Sequence, residues 1–477
     1  MGLHGASVCT ALTVQDRGGV RRISCTPLAT LRAALAVVRR QAPPAAIKLG
    51  MLASEAIAAE VAGLCEALDV PVVWDPVLGA AAGSRALLRA QPQTLLRLAR
   101  ASHVITPNRV EAAELLGLEP WQHEGPPPPA WLRAVREQWL QHGRTQAVVL
   151  KGGHAQGGRS IDWVCTRERL VALAVPRLAD GAGGRVHGTG CVHASALAAA
   201  LAQGGDLLQA AVEAQSRTHA AIAGAWIAAD GRAMAHPAAA PDSSDLPQMH
   251  DELAQAECFA PLLRAPAWYP VLPDADWVAR ALRAGAHTVQ LRAKGLPEAE
   301  LRAQVRAAVE AARAHGAQLL VNDHWRLALD SGAFGVHLGQ DDLPRPADLA
   351  RLRRAGLRLG VSAHNPAEMA RAHSLRPSYI ALGPVWPTSA KVLAHPPLGL
   401  ARLREWVGRC KPLYPVVGIG GISLRRAAAA LDCGLDGVAV IGAVLDAADP
   451  EQALRQGQDI AQACLRWRGL VATEPAG

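Results

Sequence analysis

Eight short β-rich runs alternating with helix-period segments constrain the C-terminal half of this 477-residue sequence more than any other feature. The runs are WYPVLPD from Trp268, HTVQLR from His287, QLLVND from Gln318, GVHLG from Gly335, RLGVSA from Arg358, YIALGPV from Tyr379, YPVVGIGG from Tyr414 and GVAVIG from Gly437. Between them lie stretches such as LPEAELRAQVRAAVEAARAHG, from Leu296, whose apolar residues recur at helical spacing. Parallel strands need long crossover connections, and eight strand–helix units in succession predict a closed (β/α)8 TIM barrel. The runs end in polar or glycine residues, among them Gln290, Arg292, Asn322, Asp323, Ser362, Gly420, Gly421 and Gly442. Strand C-termini form the chemical face of such barrels, so the candidate chemistry is placed there first.

The first half alternates differently. AAIKLGML, VPVVWDPV, SHVITPN and QAVVLKGGH each adjoin an Ala/Leu-rich helical stretch, which predicts a separate α/β domain with a parallel sheet. Its ligands are expected at the strand ends, near Met51, Asp75, Asn108 and Lys151. The Ala/Pro/Ser/Asp-rich segment before Gln248 has no strand pattern and predicts a boundary. The expected division is therefore an N-terminal domain over 1–235, a linker over 236–262 and the barrel over 263–477. GPPPPA, from Gly125, is expected to be a surface loop ahead of a helix near Trp131.

The nine cysteines are scattered without a CxxC pair, as expected of reduced thiols in the cytoplasm. No secretion signal or membrane-length apolar run is visible. The formal charge of +8 comes from arginines spread along helices, which argues against nucleic acid and suits phosphorylated small-molecule substrates. Homo-oligomerisation is left open.

Asp323, in VNDHW, and Asp342, in VHLGQDDLP, fall in neighbouring loops of the predicted barrel face. Two carboxylates completed by substrate phosphate oxygens are the usual setting for Mg²⁺ in diphosphate chemistry. Either Asp alone reads better as a helix N-cap; their joint placement favours the metal. The loop GPVWPTSAKVLAHPPLG brings Thr388, Ser389 and Lys391 together as a phosphate cradle, and GIGGIS and VIGA add glycine amides after the last two strands.

QLRAK, ND before a helix, HLGQxD, GVS, LGPVxPT with a following lysine, and GIGGI, in this order, closely resemble thiamine-phosphate synthase, from about Ala267 to Trp467. The resemblance implies that Gln290, Leu291, Arg292, Ala293, Lys294, Asn322, Ser362 and Lys391 contact a pyrimidine diphosphate. It implies Mg²⁺ on Asp323 and Asp342, and a thiazole phosphate among Thr388, Ser389, Ala390, Gly421, Ile441 and Gly442. In the family's dissociative reaction, diphosphate leaves the pyrimidine methylene and the thiazole nitrogen captures the resulting cation. Arg292, Lys294 and Lys391 then serve to stabilise the leaving group. Ala390 and Gly442 stand where the family commonly carries hydroxyls, which implies weaker thiazole phosphate binding.

In the first half, GAGGRVHGTGCVHAS runs from Gly181 into a helix, a glycine turn that offers free amides to an anion. With LGMLAS, VVWDPV, VITPNRVEAAELLG and VVLKGGH it resembles hydroxymethylpyrimidine/phosphomethylpyrimidine kinase, a ribokinase-like enzyme, over about Gly2 to Ala225. By that resemblance Cys191 assists proton removal and Gly188, Thr189 and Gly190 form the anion hole. Gln15 and Met51 line the pyrimidine pocket, while Asp75, Asn108, Glu111 and Lys151 lie on the ATP and Mg²⁺ side. The resemblance begins beyond the family's opening strand and AGSDxSGGAG-type segment, which implies a pocket short of one wall and low kinase activity.

The reading that follows is a bifunctional enzyme, kinase then synthase. The alternative keeps the synthase and makes the first half a non-catalytic pyrimidine-binding or scaffolding domain. A phosphate-binding isomerase on the same barrel is disfavoured by the paired Asp323 and Asp342 with Lys391, since such isomerases use an acid/base pair without metal.

Overall fold

The structure, a computed structural model, describes residues 2–16, 19–41, 43–79, 87–88, 90–153, 157–179, 186–253, 256–388 and 396–468. The chain divides into two compact units, Met1–Ala254 and Gln255–Gly477.

In the first unit, β1 (Ala11–Asp16) and β2 (Gly19–Cys25) form an antiparallel hairpin of their own. A larger sheet is built from β3 (Ile47–Leu49), β4 (Val72–Trp74), β5 (Val104–Ile105), β6 (Ala147–Leu150), β7 (Arg159–Thr166) and β8 (Leu170–Pro176). A second small hairpin joins β9 (Trp226–Ile227) to β10 (Ala233–Met234), and β11 (Gln248–His250) completes the large sheet. Its seven strands run in the order β11-β8-β7-β6-β5-β4-β3. The segments VVW, VI and AVVL of β4, β5 and β6 are wholly buried, as continuous apolar strands with covered faces must be.

Two expectations are corrected here. The sheet is mixed: β3 to β6 are parallel, but β7, β8 and β11 are antiparallel additions. The segment 236–262 is also no simple linker, because β11 lies within it and pairs with β8. Ahead of β11, Asp245 is buried against His219 of helix Leu207–Ala223, with Nδ1 and Oδ1 2.5 Å apart. That side-chain pair fastens a segment whose composition reads as loop.

In the second unit, β12 (Ala267–Leu272), β13 (Thr288–Leu291), β14 (Gln318–Asn322), β15 (Gly335–Leu338), β16 (Arg358–Ala363), β17 (Tyr379–Leu382), β18 (Val416–Ile419) and β19 (Gly437–Val440) close into a parallel barrel. The eight expected strands are all present, and β12 pairs with β19 to close the ring. The outer helices start where the sequence punctuates them. Asp274, Asn365 and Asp449 accept backbone N–H bonds as N-caps, satisfying donors that each helix start leaves unpaired. Helix Glu298–Ala314 buries Leu301, Val305, Ala308, Val309 and Ala312, one stripe at helical spacing.

Tyr269, Val271, Leu320, Tyr379, Ala381, Val417 and Ala439 pack together as a buried cluster. Room for Tyr379 comes from Gly360 on the neighbouring strand. A β-carbon there would fall 2.2 Å from Cζ of the ring, so any side chain at 360 displaces the tyrosine.

Candidate active sites

The barrel candidates collect at one end because each follows or ends a parallel strand. Gln290 and Leu291 end β13, buried, and Ala293 beyond them is buried too. Arg292 is half-buried with its N–H on the Leu272 carbonyl at 2.7 Å, and Lys294 is exposed. Asn322 ends β14 and Ser362 lies near the end of β16. Thr388 follows β17, Gly421 follows β18, and Ile441 and Gly442 follow β19. Ser389, Ala390 and Lys391 lie outside the described residues.

Asp323 adopts φ 61°, a left-handed conformation uncommon for a residue with a side chain, and its N–H is held by the His337 carbonyl at 3.0 Å. Neither aspartate caps a helix. His324 and Arg345 stand at the N-cap positions of Trp325–Asp330 and Pro346–Arg354, without side-chain cap bonds. Instead the two carboxylates lie close enough for their charges to interact. Burial and the Asp342 charge push the Asp323 carboxyl above its ordinary value, while Lys294 and His324 pull the other way. Crowded carboxylates of this kind are relieved by a divalent cation. Among the described residues no group of three or more His, Cys, Asp or Glu side chains forms a closed metal cage. Two carboxylates would leave a bound Mg²⁺ positions for water and phosphate oxygens.

Behind the mouth runs a buried polar chain that the sequence did not disclose. Gln290 Nε2 donates to the Tyr269 hydroxyl at 2.9 Å, which lies 2.9 Å from the Tyr379 hydroxyl. Nδ1 of His337 is 2.7 Å from Tyr379 Oη, and its Nε2 is 2.9 Å from Ser362 Oγ. Two expected substrate residues, Gln290 and Ser362, are thus joined through three residues that went unassigned. Burial pushes the His337 imidazole down to about 4, with the neighbouring His364 adding to the effect, and pushes both tyrosine hydroxyls up. The ring is neutral, and its two hydroxyl partners suit either tautomer. The available signal was composition: the chain has three tyrosines, and all three fall within predicted barrel strands.

In the first unit, Lys151 Nζ lies 2.7 Å from Asp75 Oδ1, with Lys48 Nζ 4.0 Å from the other oxygen. Gly190, in the first turn of helix Thr189–Ala202, adjoins this pair. A β-carbon there would sit 3.2 Å from Lys151 Nζ and 3.6 Å from Asp75 Oδ2. Gly188, with φ 85°, precedes Thr189 at the helix start, so the glycine turn stands beside the Lys151–Asp75 ion pair. Burial alone lowers the Lys151 ammonium, but Asp75 and Glu111 outweigh it and hold the pKa above its ordinary value.

Asn108 and Glu111 close a capping box on helix Arg109–Leu116, a structural task the sequence reading did not give them. Burial raises the Glu111 carboxyl to about 7 against the opposing charge of Lys151. Cys191 is exposed in the first turn of helix Thr189–Ala202. Gln15 is exposed on β1, and the side chain that reaches Met51 is Thr10, whose Oγ1 donates to the Met51 carbonyl at 2.6 Å.

Comparison with known proteins assigns each half. The family model described as Thiamine monophosphate synthase matches residues 270–444, and that described as Phosphomethylpyrimidine kinase matches residues 1–235. Thiamine-phosphate synthase of Serratia proteamaculans is 47% identical over 188 residues, covering 39% of this chain and 88% of the relative. Among solved structures, thiamine phosphate pyrophosphorylase from Pyrococcus furiosus is 32% identical and covers 43% of this chain and 100% of its own, with a TM-score of 0.38. Phosphomethylpyrimidine kinase from Clostridium difficile 630 is 28% identical and covers 44% and 83% respectively, with a TM-score of 0.36. No helix among the described residues is long and apolar enough to cross a membrane. Through its C-terminal barrel the chain belongs to the thiamine-phosphate synthase family, and its N-terminal half is a phosphomethylpyrimidine kinase domain.

Proposed function

We propose that the two halves catalyse consecutive steps: the first phosphorylates hydroxymethylpyrimidine phosphate with ATP, and the barrel joins the resulting diphosphate to a thiazole phosphate. The observation that carries the barrel chemistry is the approach of Asp323 and Asp342 beside Lys294. Held by these two carboxylates, Mg²⁺ would supply positive charge to the departing diphosphate. Arg292, Lys294 and Lys391 take the developing negative charge on its other oxygens. Gln290 and Asn322 orient the pyrimidine diphosphate, and the Ser362 hydroxyl, fixed by neutral His337, donates toward it. Thr388, Gly421, Ile441 and Gly442 receive the thiazole phosphate. Once the pyrimidine cation forms, the thiazole nitrogen supplies the electron pair for the new bond, so no side-chain nucleophile is needed. In the first half, Lys151 and the Gly188–Gly190 amides neutralise the transferred phosphoryl group, and Cys191 assists deprotonation of the acceptor. The free state of all nine cysteines suits the cytoplasm.

Asp342→Asn tests the barrel assignment. The synthase rate is expected to fall by roughly 100-fold or more, with ATP-dependent phosphorylation retained. An undiminished synthase rate at limiting Mg²⁺ removes Asp342 from the metal site.

A further inference from the structure

A single carboxylate deep in the first unit bridges the two elements that carry the phosphate-facing groups. Asp162 lies in the middle of β7, among buried apolar neighbours, and is 5% exposed. Its Oδ1 accepts the N–H of Gly152, the residue after Lys151, at 2.8 Å. Its Oδ2 lies 3.1 Å from Nε2 of His193, itself 2% exposed, on helix Thr189–Ala202. A charge buried in a strand is unfavourable unless it is paired and hydrogen-bonded, and both oxygens here are occupied.

The contacts close into a ring. Lys151 continues into Gly152, Gly152 is tied to Asp162, Asp162 to His193, and His193 stands three residues beyond Gly190 on the same helix face. Gly190 then returns to Lys151. Close approach at Gly152 is obligatory, because a β-carbon there would fall 2.1 Å from the Ile161 carbonyl oxygen. Arg177 secures the other side of the same stretch, donating to the carbonyls of Gly152 at 3.3 Å and Gly157 at 2.9 Å. Nδ1 of His193 is buried without a partner among the described residues, so Asp162 is the anchor of the ring.

We propose that Asp162 and His193 are positioning residues of the kinase half, fixing the Lys151 ammonium against the amides that open helix Thr189–Ala202. The inference rests on the kinase reading above. The pair touches no ligand; it sets the separation between a cation and a backbone anion site, which must grip the same phosphoryl group. Misplacement by about 1 Å costs such a site on the order of 100-fold in rate.

The test uses the full chain, with ATP-dependent phosphorylation of hydroxymethylpyrimidine phosphate followed alongside ATP binding by calorimetry and thermal melting. Asp162→Ala and His193→Leu are expected to lower kcat about 100-fold while KM for the pyrimidine moves no more than about threefold. His193→Gln, whose amide still donates to Asp162, is expected to recover to within about tenfold of wild type. Loss that only tracks the melted fraction, or a Gln variant as impaired as the Leu variant, overturns the positioning role. Unchanged kcat in Asp162→Ala beside an active wild type overturns this inference and leaves the kinase reading standing. A wild-type chain that neither binds ATP nor phosphorylates overturns both.

Discussion

Nε2 of His337 lies 2.9 Å from the Ser362 hydroxyl, and the same ring reaches the Tyr379 hydroxyl through Nδ1 at 2.7 Å. A residue at the mouth of the barrel is therefore held by one in its sealed interior. Folded His337 takes up a proton only near pH 4, whereas an unfolded histidine does so near 6.5. Between those values the unfolded chain binds more protons, so stability falls as pH drops through the window and the loss is complete below about 4. The full shift is worth about 3 kcal/mol, as an order of magnitude. Denaturant unfolding of the barrel at pH 7 and pH 5 checks this. His337→Gln should be less stable at pH 7 but lose less on acidification; an identical acid loss would show that His337 does not drive it.

Removing Lys151 should destabilise the first unit. Asp75 is 2% exposed, and without Lys151 its nearest cation is Lys48 at 4.0 Å. Stranding a buried carboxylate costs about 3–5 kcal/mol. Lys151→Ala is expected to abolish phosphorylation and lower the melting temperature of the first unit, with the synthase rate unchanged. Calorimetric melting beside a synthase assay separates these effects, and an unshifted melt would show that water replaces the ammonium.

Lys391→Ala should lower kcat of the synthase more than it raises KM, because a lysine at the leaving group acts as charge develops. Steady-state kinetics in both substrates decide the point. An unchanged kcat makes Lys391 a surface residue.

Cys191→Ser should slow phosphorylation, a hydroxyl being the poorer proton acceptor. Single-turnover rates across pH report on it; equal rates at every pH would leave the helix-start amides to act without the thiol.

The sequence disclosed the barrel because each strand and helix carries its own local pattern, and placed candidates at the mouth because Asn322 ends its strand and Asp323 and Gly421 lie just past theirs. What it withheld depends on register between distant segments. Tyr269 and Tyr379 are 110 residues apart and meet only once the barrel closes. Asp162 sits between the buried apolar residues Ile161 and Trp163 of its strand, but nothing local connects it to Gly152 and His193. β11 escaped notice because its three residues sit in a Pro- and Ser-rich stretch and gain strand character only from β8.

The consecutive-step account is tested most directly by supplying the full chain with hydroxymethylpyrimidine phosphate, ATP, Mg²⁺ and the thiazole phosphate, and measuring thiamine phosphate over time. The account predicts ATP-dependent product at a rate set by the first half, rising when the pyrimidine diphosphate is supplied ready-made. Product formed only from the ready-made diphosphate would contradict it and leave the first half a binding domain beside an active synthase.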